Sequence, residues 1–336
     1  MINLVQRSIS NGGRISPLII KDGFYKNIGY MNPSVFVDDD GEILVNLRHI
    51  NYTLYHAENT QQFPTRWGPL AYLHPENDLT LRTVNYMCRL DSDLNMTDYT
   101  LVDTTLLDVP PLWEFHGLED ARLVKWENDY YLVGVRRDTT PNGVGRMELS
   151  KIELDKENWS AKEVSRLRIP APGNDGSYCE KNWVPVLDKP FHFVKWTSPT
   201  ELVRTYPDLP ARCEQVLLRE GAIPTADQRG GSHVVEWNNL YIAMPHEVYL
   251  YNNYLGQKDG TYRHRLCVWD KEWNLVGISP NNLSFLDGKI EFCAGAAKYG
   301  DDLLLTFGFQ DNAAFILQVP KNVVNELVQE ALSNVQ

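Results

Sequence analysis

The sequence has no stretch approaching the ~18 apolar residues of a membrane-crossing helix, and its first residues lack the charged-then-apolar pattern of a secretory leader. Both absences predict a cytoplasmic protein with no membrane partner. Cysteine is scarce. Cys88, Cys179, Cys213, Cys267 and Cys293 are odd in number and show no CxxC spacing, so they read as reduced, mostly packed thiols rather than a disulfide framework. The histidines are dispersed, without an HExxH or HxH pair, and no zinc site is expected. There is no GxxxxGK[ST], no GxGxxG and no DxD-type metal site, so neither a P-loop nor a metal-held nucleotide sugar is indicated. No cofactor or metal is expected. Asp38-Asp39-Asp40 falls in a turn, where such residues bond their own backbone.

Basic charge is also in deficit. A formal net charge of −12 leaves no global field to hold a phosphate backbone, which argues against nucleic acid as a partner. Sugar transfer onto a modified nucleobase is the one variant of that class left open. Helical periodicity is nearly absent as well. It is convincing only at about 320–333, where Val324, Leu327, Val328 and Leu332 share a stripe behind Pro320.

What is present is a repeat. Five segments, at 34–48, 121–135, 183–196, 233–244 and 295–307, each write a short apolar strand, a tight acidic or Gly/Asn turn and a second apolar strand. Their spacing, roughly 50–90 residues, is too irregular for a solenoid but suits blades of about four strands with variable loops. The expected fold is all-β, a five-bladed β-propeller filling residues 1–336 as one domain with a short C-terminal helix. The 17 Tyr and nine Trp exceed what a core strictly needs; they suit either packing between blades or a sugar-binding surface. Residues 49–82 and 247–262 read as long functional loops.

Polar groups recur where each hairpin opens: Asn32-Pro33, Glu119-Asp120-Ala121-Arg122, Glu180-Lys181-Asn182, Arg229-Gly230-Gly231-Ser232-His233 and Glu291-Phe292-Cys293. A second set closes the hairpins: Arg48-His49, Arg136-Arg137-Asp138, Lys195-Trp196, His246-Glu247 and Gln310-Asp311. If the opening strands are innermost, both sets line one channel. Carboxylates there can bond hydroxyls or move a proton, and cations can neutralise a phosphate. Charges before strands also serve as turn caps and solvated ion pairs, but turn chemistry does not call for Arg-Gly-Gly-Ser or Glu-Asp-Ala-Arg.

His116-Gly117-Leu118-Glu119-Asp120-Ala121-Arg122 resembles the Gly-x-Glu-Asp-Pro-Arg signature of the β-mannoside phosphorylase family, five-bladed propellers with a mannosyltransferase branch. Asn32 with Arg48, Lys181 with Asn182, His246 with Tyr262, and Phe307-Gly308-Phe309-Gln310-Asp311 resemble other family elements in matching order. Arg-Gly-Gly-Ser, ending at Ser232, and Glu-Phe-x-Ala-Gly, opening at Glu291, resemble propeller modules that accompany bacterial glycosyltransferases. Two departures stand out. Ala121 replaces the family's Pro, and the Pro-Pro-Ile element before the fourth blade is missing.

The resemblance implies Asp120 as general acid or base, with Glu119, Arg122 and the residues just named binding substrate. Arg48, Arg136, Arg137, Lys181, His246 and Arg263 are the available phosphate ligands, with Arg137 and Arg48 first for their fork geometry. The expected substrate is a mannose-like sugar or oligosaccharide, together with phosphate, a sugar phosphate or a nucleotide sugar, reacting with inversion. An inverting hydrolase would need a second carboxylate ~6.5–9.5 Å away, for which Glu291, Glu247 and Asp138 are candidates. A non-catalytic glycan-binding propeller is the third reading. The sequence leaves the oligomeric state open.

Overall fold

The computed structural model describes residues 1–334 apart from 21–28, 53–61, 66–67, 72–79, 175, 209, 222–227, 229 and 253–257, with side chains of 62–65, 68–71 and 258–259 also excluded. Much of the predicted loop 49–82, and Arg229, lie outside the described residues.

The protein is almost all-β. Most strands fall into five antiparallel four-stranded meanders. The first is Gly29–Val37, Ile43–Ile50, Leu81–Leu90 and Met96–Asp103. The second is Glu119–Trp126, Asp129–Arg136, Arg146–Asp155 and Ser160–Arg168. The third is Val184–Pro185, His192–Trp196, Thr200–Tyr206 and Arg212–Arg219. The fourth is Val235–Trp237, Leu240–Ala243, Cys267–Trp269 and Leu275–Ile278. The fifth is Glu291–Tyr299, Asp302–Phe309 and Ala313–Val319, completed by Arg14–Pro17 from the far end of the chain. Each predicted hairpin supplies the first two strands of a meander.

Apolar clusters sit between neighbouring meanders because each sheet has two faces to bury. Val35 and Val45 meet Leu304 and Ile316, while Val124 and Trp126 meet Trp183 and Phe193. Val186 and Val194 meet Ala243 and Trp269; Leu44 and Met87 meet Leu123 and Leu132. Each fully buried large side chain contributes about 1.5–3 kcal/mol. Trp126, Trp183, Trp237, Trp269 and Trp273 are all buried in these seams, so packing accounts for most of the tryptophan.

The opening strands approach one another at the centre. Ser34 Oγ accepts from Leu123 N (2.9 Å) and lies 3.4 Å from His233 Nε2, while Val35 N donates to Thr306 Oγ1 (3.1 Å).

The predicted C-terminal helix runs Lys321–Ser333 with Pro320 as its N-cap, and buries Val323, Val324, Leu327, Val328 and Ala331 against the fourth and fifth meanders. A further short helix, Leu4–Ile9, is capped by the Asn3 side chain. One expectation is corrected: 247–262 is no loop. His246–Asn252 and Lys258–His264 pair in regular antiparallel register, and the latter meets Leu283–Ser284. Its Tyr, Asn and Gly content masked a strand pattern with few aliphatics. Among the described residues no helix is long and apolar enough to cross a membrane. The five cysteines are free thiols, three of them buried.

Candidate active site

At the opening of three meanders the chain adopts the left-handed conformation at a non-glycine residue: Asn32 (φ 45°), Asp120 (φ 48°) and Asn182 (φ 61°). Asn and Asp tolerate this region better than other side chains. Register shifts between Met31 and Ser34, and between Glu119 and Arg122, mark β-bulges there. A bulge breaks the in–out alternation and re-aims a side chain, here toward the centre. In the fourth unit the same point is taken by Gly230 and Gly231; a Cβ on Gly231 would lie 2.1 Å from the Met244 carbonyl oxygen. In the fifth, Gly308 lets Asn32 approach, since a Cβ there would sit 2.2 Å from Asn32 Oδ1.

Asp120 is the hub. Its Oδ1 accepts from Arg48 Nη1 (2.5 Å) and Asn32 Nδ2 (2.7 Å). Its Oδ2 accepts no hydrogen bond from any described residue, and the side chain keeps 17% exposure. Burial alone would raise its pKa. The guanidiniums of Arg48 and Arg122, the Asn32 amide and the Lys181 ammonium outweigh that and hold the carboxyl at about 2. Asp120 is therefore ionised at neutral pH.

Arg48, buried between strands, is fixed by Thr83 Oγ1 (3.2 and 3.0 Å) and Tyr52 OH (3.0 Å). The turn after Asp120 is held by its own hydrogen bonds, which stand where the family's proline would stiffen it. Arg122 Nη1 donates to the Asp120 carbonyl (2.6 Å), and Asn46 Nδ2 to that of Ala121 (3.0 Å). Thr83, Asn46 and Asn85 were not picked out from sequence. The available signal was two amides, Asn46 and Asn85, inside otherwise apolar strands; they bond each other at 3.1 Å.

Asp311 (φ 53°) shares the field of this hub. Burial pushes its carboxyl up to about 6, with Asp120 adding to the rise and Arg48 and Lys181 opposing it. The His246 ring stacks on Tyr262 (5.2 Å between centroids) and meets Phe292 edge-on. Burial, then His264 and the nearby cations, hold His246 well below the usual imidazole range, so it is neutral, and its Nδ1 has no partner among the described residues. Lys181 is exposed and makes no hydrogen bond or ion pair with a described residue.

The remaining predicted residues separate into two groups. Glu119 lies between Arg137 Nε (3.3 Å) and Arg48 Nη2 (3.8 Å), so Arg137 reaches the site already paired. Arg122 also donates to Asn182 Oδ1 (3.3 Å) and the Gly231 carbonyl (3.2 Å), which makes it a frame member rather than a free phosphate ligand.

Three other side chains are turned onto backbone. Ser232 Oγ donates to the His233 carbonyl and accepts from Met244 N (3.0 Å). Arg263 Nη1 donates to the carbonyls of Tyr262 and Gly288. Glu291 accepts from the amides of Phe285 (2.7 Å), Leu286 (2.6 Å) and Gly288 (3.0 Å). Of the other hydrolytic candidates, Glu247 accepts from Gln228 Nε2 (2.7 Å) and from Tyr249 OH, and Asp138 Oδ2 accepts from Gly117 N (2.8 Å).

No protein-family model and no curated protein sequence matches the chain. Solved structures do. β-1,2-Mannobiose phosphorylase from Listeria innocua aligns at TM-score 0.56 and 15% identity, over 94% of this chain and 96% of that one. A structure of the GH130 family of mannoside phosphorylases, which contains glycoside hydrolases that target β-1,2 mannosidic linkages in Candida mannan, aligns at TM-score 0.56 and 12% identity, over 88% and 85%. A glycosyl hydrolase from Bacteroides ovatus aligns at TM-score 0.52 and 10% identity, over 88% and 84%. The chain thus has the fold of the β-mannoside phosphorylases that its Glu-Asp-Ala-Arg segment resembles.

Proposed function

We propose that the chain is one five-bladed β-propeller, the five meanders being its blades, and that it transfers a mannose-like sugar to or from phosphate or a phosphorylated donor at the centre. The observation that carries this reading is Asp120: one carboxylate oxygen is fixed by Arg48 and Asn32, and the other is open. Held at about 2, the carboxyl is a base at neutral pH. It suits the synthetic direction, in which an acceptor hydroxyl gives its proton to Asp120. The hydroxyl oxygen attacks the sugar's C1 as the C1–O bond to phosphate breaks, with inversion, and phosphate leaves with the electron pair. In reverse, Asp120 returns the proton; in the family it resembles, that proton passes through a sugar hydroxyl. Lys181 and His246 Nδ1 stand near Asp120 with donor or acceptor capacity uncommitted, and suit the phosphate and sugar ends.

Hydrolysis would need another carboxylate to activate water across the sugar. Glu291 and Glu247 are committed to structural donors, and Asp138 is tied through Oδ2 to Gly117 N and Arg136; Asp311, which shares the field of Asp120, suits that role best. Incubating the protein with mannose 1-phosphate and mannose, and following phosphate release, tests the reading. Phosphate release with a new disaccharide, both lost in Asp120→Asn, is expected. Release of free mannose from mannobiose in phosphate-free buffer would instead make the chain a hydrolase.

A further inference from the structure

A cavity of about 420 Å³ lies between the first and second meanders, outward from Asp120. Its size is that of a small-molecule site rather than of a packing defect, which holds one or two waters at most. Its walls are built, not incidental. On one side stand the apolar faces of Val102, Leu118 and Leu132; at the rim stand the exposed Leu101 and Val109. At the floor Arg136, only 4% exposed, is anchored by Glu148 Oε2 (2.7 Å). Beside it Asp138, only 6% exposed, accepts from Gly117 N through Oδ2 and leaves Oδ1 buried with no hydrogen-bond partner among the described residues. A buried carboxylate oxygen without a donor is costly, so it marks a place where a donor belongs.

The lining also selects by charge. Asp103, Asp108, Asp138 and Glu163 line the cavity with Arg82 and Arg136, and Arg166 pairs with Asp108 (3.3 Å) and Glu163. That excess of carboxylate disfavours phosphates and nucleotides. Hydroxyls of Ser150 and Thr104 donate to Glu163 Oε1 (2.5 Å) and Asp108 Oδ2 (2.9 Å) and keep acceptor capacity, next to aliphatic surface that suits C–H faces. We propose that this cavity is a second binding site, for a neutral polyhydroxylated ligand such as a single sugar residue, with a ligand hydroxyl donating to Asp138 Oδ1. It is separate from the central site but shares its wall. Thr83 lines the cavity and also accepts from Arg48, and Gly117 precedes Glu119 by two residues.

The site can be read by amide NMR titration of the full chain with D-mannose, myo-inositol and spermidine. The Gly117 amide reports the cavity and the Asn182 amide reports the centre. Saturable Gly117 shifts with D-mannose or myo-inositol are expected, weakened at least tenfold in Leu101→Trp, which narrows the mouth, while any Asn182 response is unchanged. Val109→Trp, at an exposed rim position, serves if Leu101→Trp fails to fold. Gly117 shifts that persist equally in the narrowed variant, no Gly117 response to either neutral ligand, or a response to spermidine alone would overturn the assignment. Loss of the Asn182 response with Gly117 shifts intact would count against the central-site reading and leave the cavity assignment standing.

Discussion

Asp38 and Asp120 are both carboxylates surrounded by cations near the start of a meander, and they differ in what they leave uncommitted. Asp38 accepts from Lys125 Nζ (2.5 Å), Lys156 Nζ (2.7 Å) and Tyr130 OH, so each oxygen is taken and the turn of the first meander is tied to the second. Lys156 also reaches Glu42 (2.6 Å) and Asp40 (3.6 Å), so a lysine occupies the one acidic group found among the described residues with metal-like spacing. Asp120 also stands among cations but accepts hydrogen bonds through one oxygen only. Charge near a carboxylate does not distinguish the two. The unused lone pair does.

The comparison is broken most directly by exchanging the effects. Asp120→Asn should lower turnover by ~10²–10⁴-fold, the usual share of proton transfer, and cost about 3 kcal/mol of stability because the buried Arg48 loses its carboxylate partner. Asp38→Asn should leave turnover intact and cost about 1–3 kcal/mol of stability, less than a fully buried pair because both lysines are partly exposed. Chemical denaturation and initial rates of the two variants check both; a slow, fully stable Asp38→Asn would erase the distinction.

Lys181→Ala should weaken phosphate or sugar-phosphate binding roughly tenfold, and Arg137→Ala less, because Glu119 already holds Arg137. Calorimetric titration with phosphate ranks them; a larger loss in Arg137→Ala would mean that the Glu119 pair opens for the ligand. Glu291→Gln sharpens the same contrast, since the carboxylate bonds three backbone amides. It should cost about 1–3 kcal/mol of stability while leaving KM for the sugar unchanged.

The smallest effect is on acid stability. Asp311, lifted to about 6, keeps a proton in the fold between roughly pH 4 and 6 that the unfolded chain has lost, so its contribution falls as pH rises through that window. His233 and His264, held at about 3 by burial, work the other way: below about 6.5 the unfolded chain takes protons that the fold refuses. With His246 also depressed, the histidines outnumber the carboxylate. Stability should rise with pH from 4 to 6, and Asp311→Asn should steepen that rise. Melting temperatures at three pH values test it; a flatter profile in the variant would show that Asp311 is not the group titrating.

The hairpins were legible in the sequence because period-2 patterning and turn residues are local signals, present within a dozen residues of each other. Glu-Asp-Ala-Arg was legible for the same reason. Orientation was not. Ser232, Arg263 and Glu291 are polar residues beside the expected channel, yet each side chain turns to backbone. Glu291 folds onto amides three to six residues before it. Ser232 and Arg263 bond a neighbouring carbonyl together with Met244 N and the Gly288 carbonyl, an orientation that residue type alone does not encode. The support of Arg48 by Thr83 and Tyr52 depends on cross-strand placement. The strand Lys258–His264 was missed because its sequence carries turn-rich residues while its pairing partner supplies the order.

The union of Arg14–Pro17 with Ala313–Val319 has a consequence for how the protein is made. Arg14–Pro17 precedes the strand it pairs with, Ala313–Val319, by about 300 residues, so the fifth sheet cannot be completed until that whole stretch has been synthesised. Until then the early strand lacks its partner in the fifth sheet. Closing a loop of this length is an entropic cost met late, and it predicts slow folding with a single cooperative latch rather than sheet-by-sheet consolidation. The same latch lets the two termini hold one another in place: Arg7 reaches Glu326 and Glu330 at 2.8 Å each, so loosening either end should unseat the other.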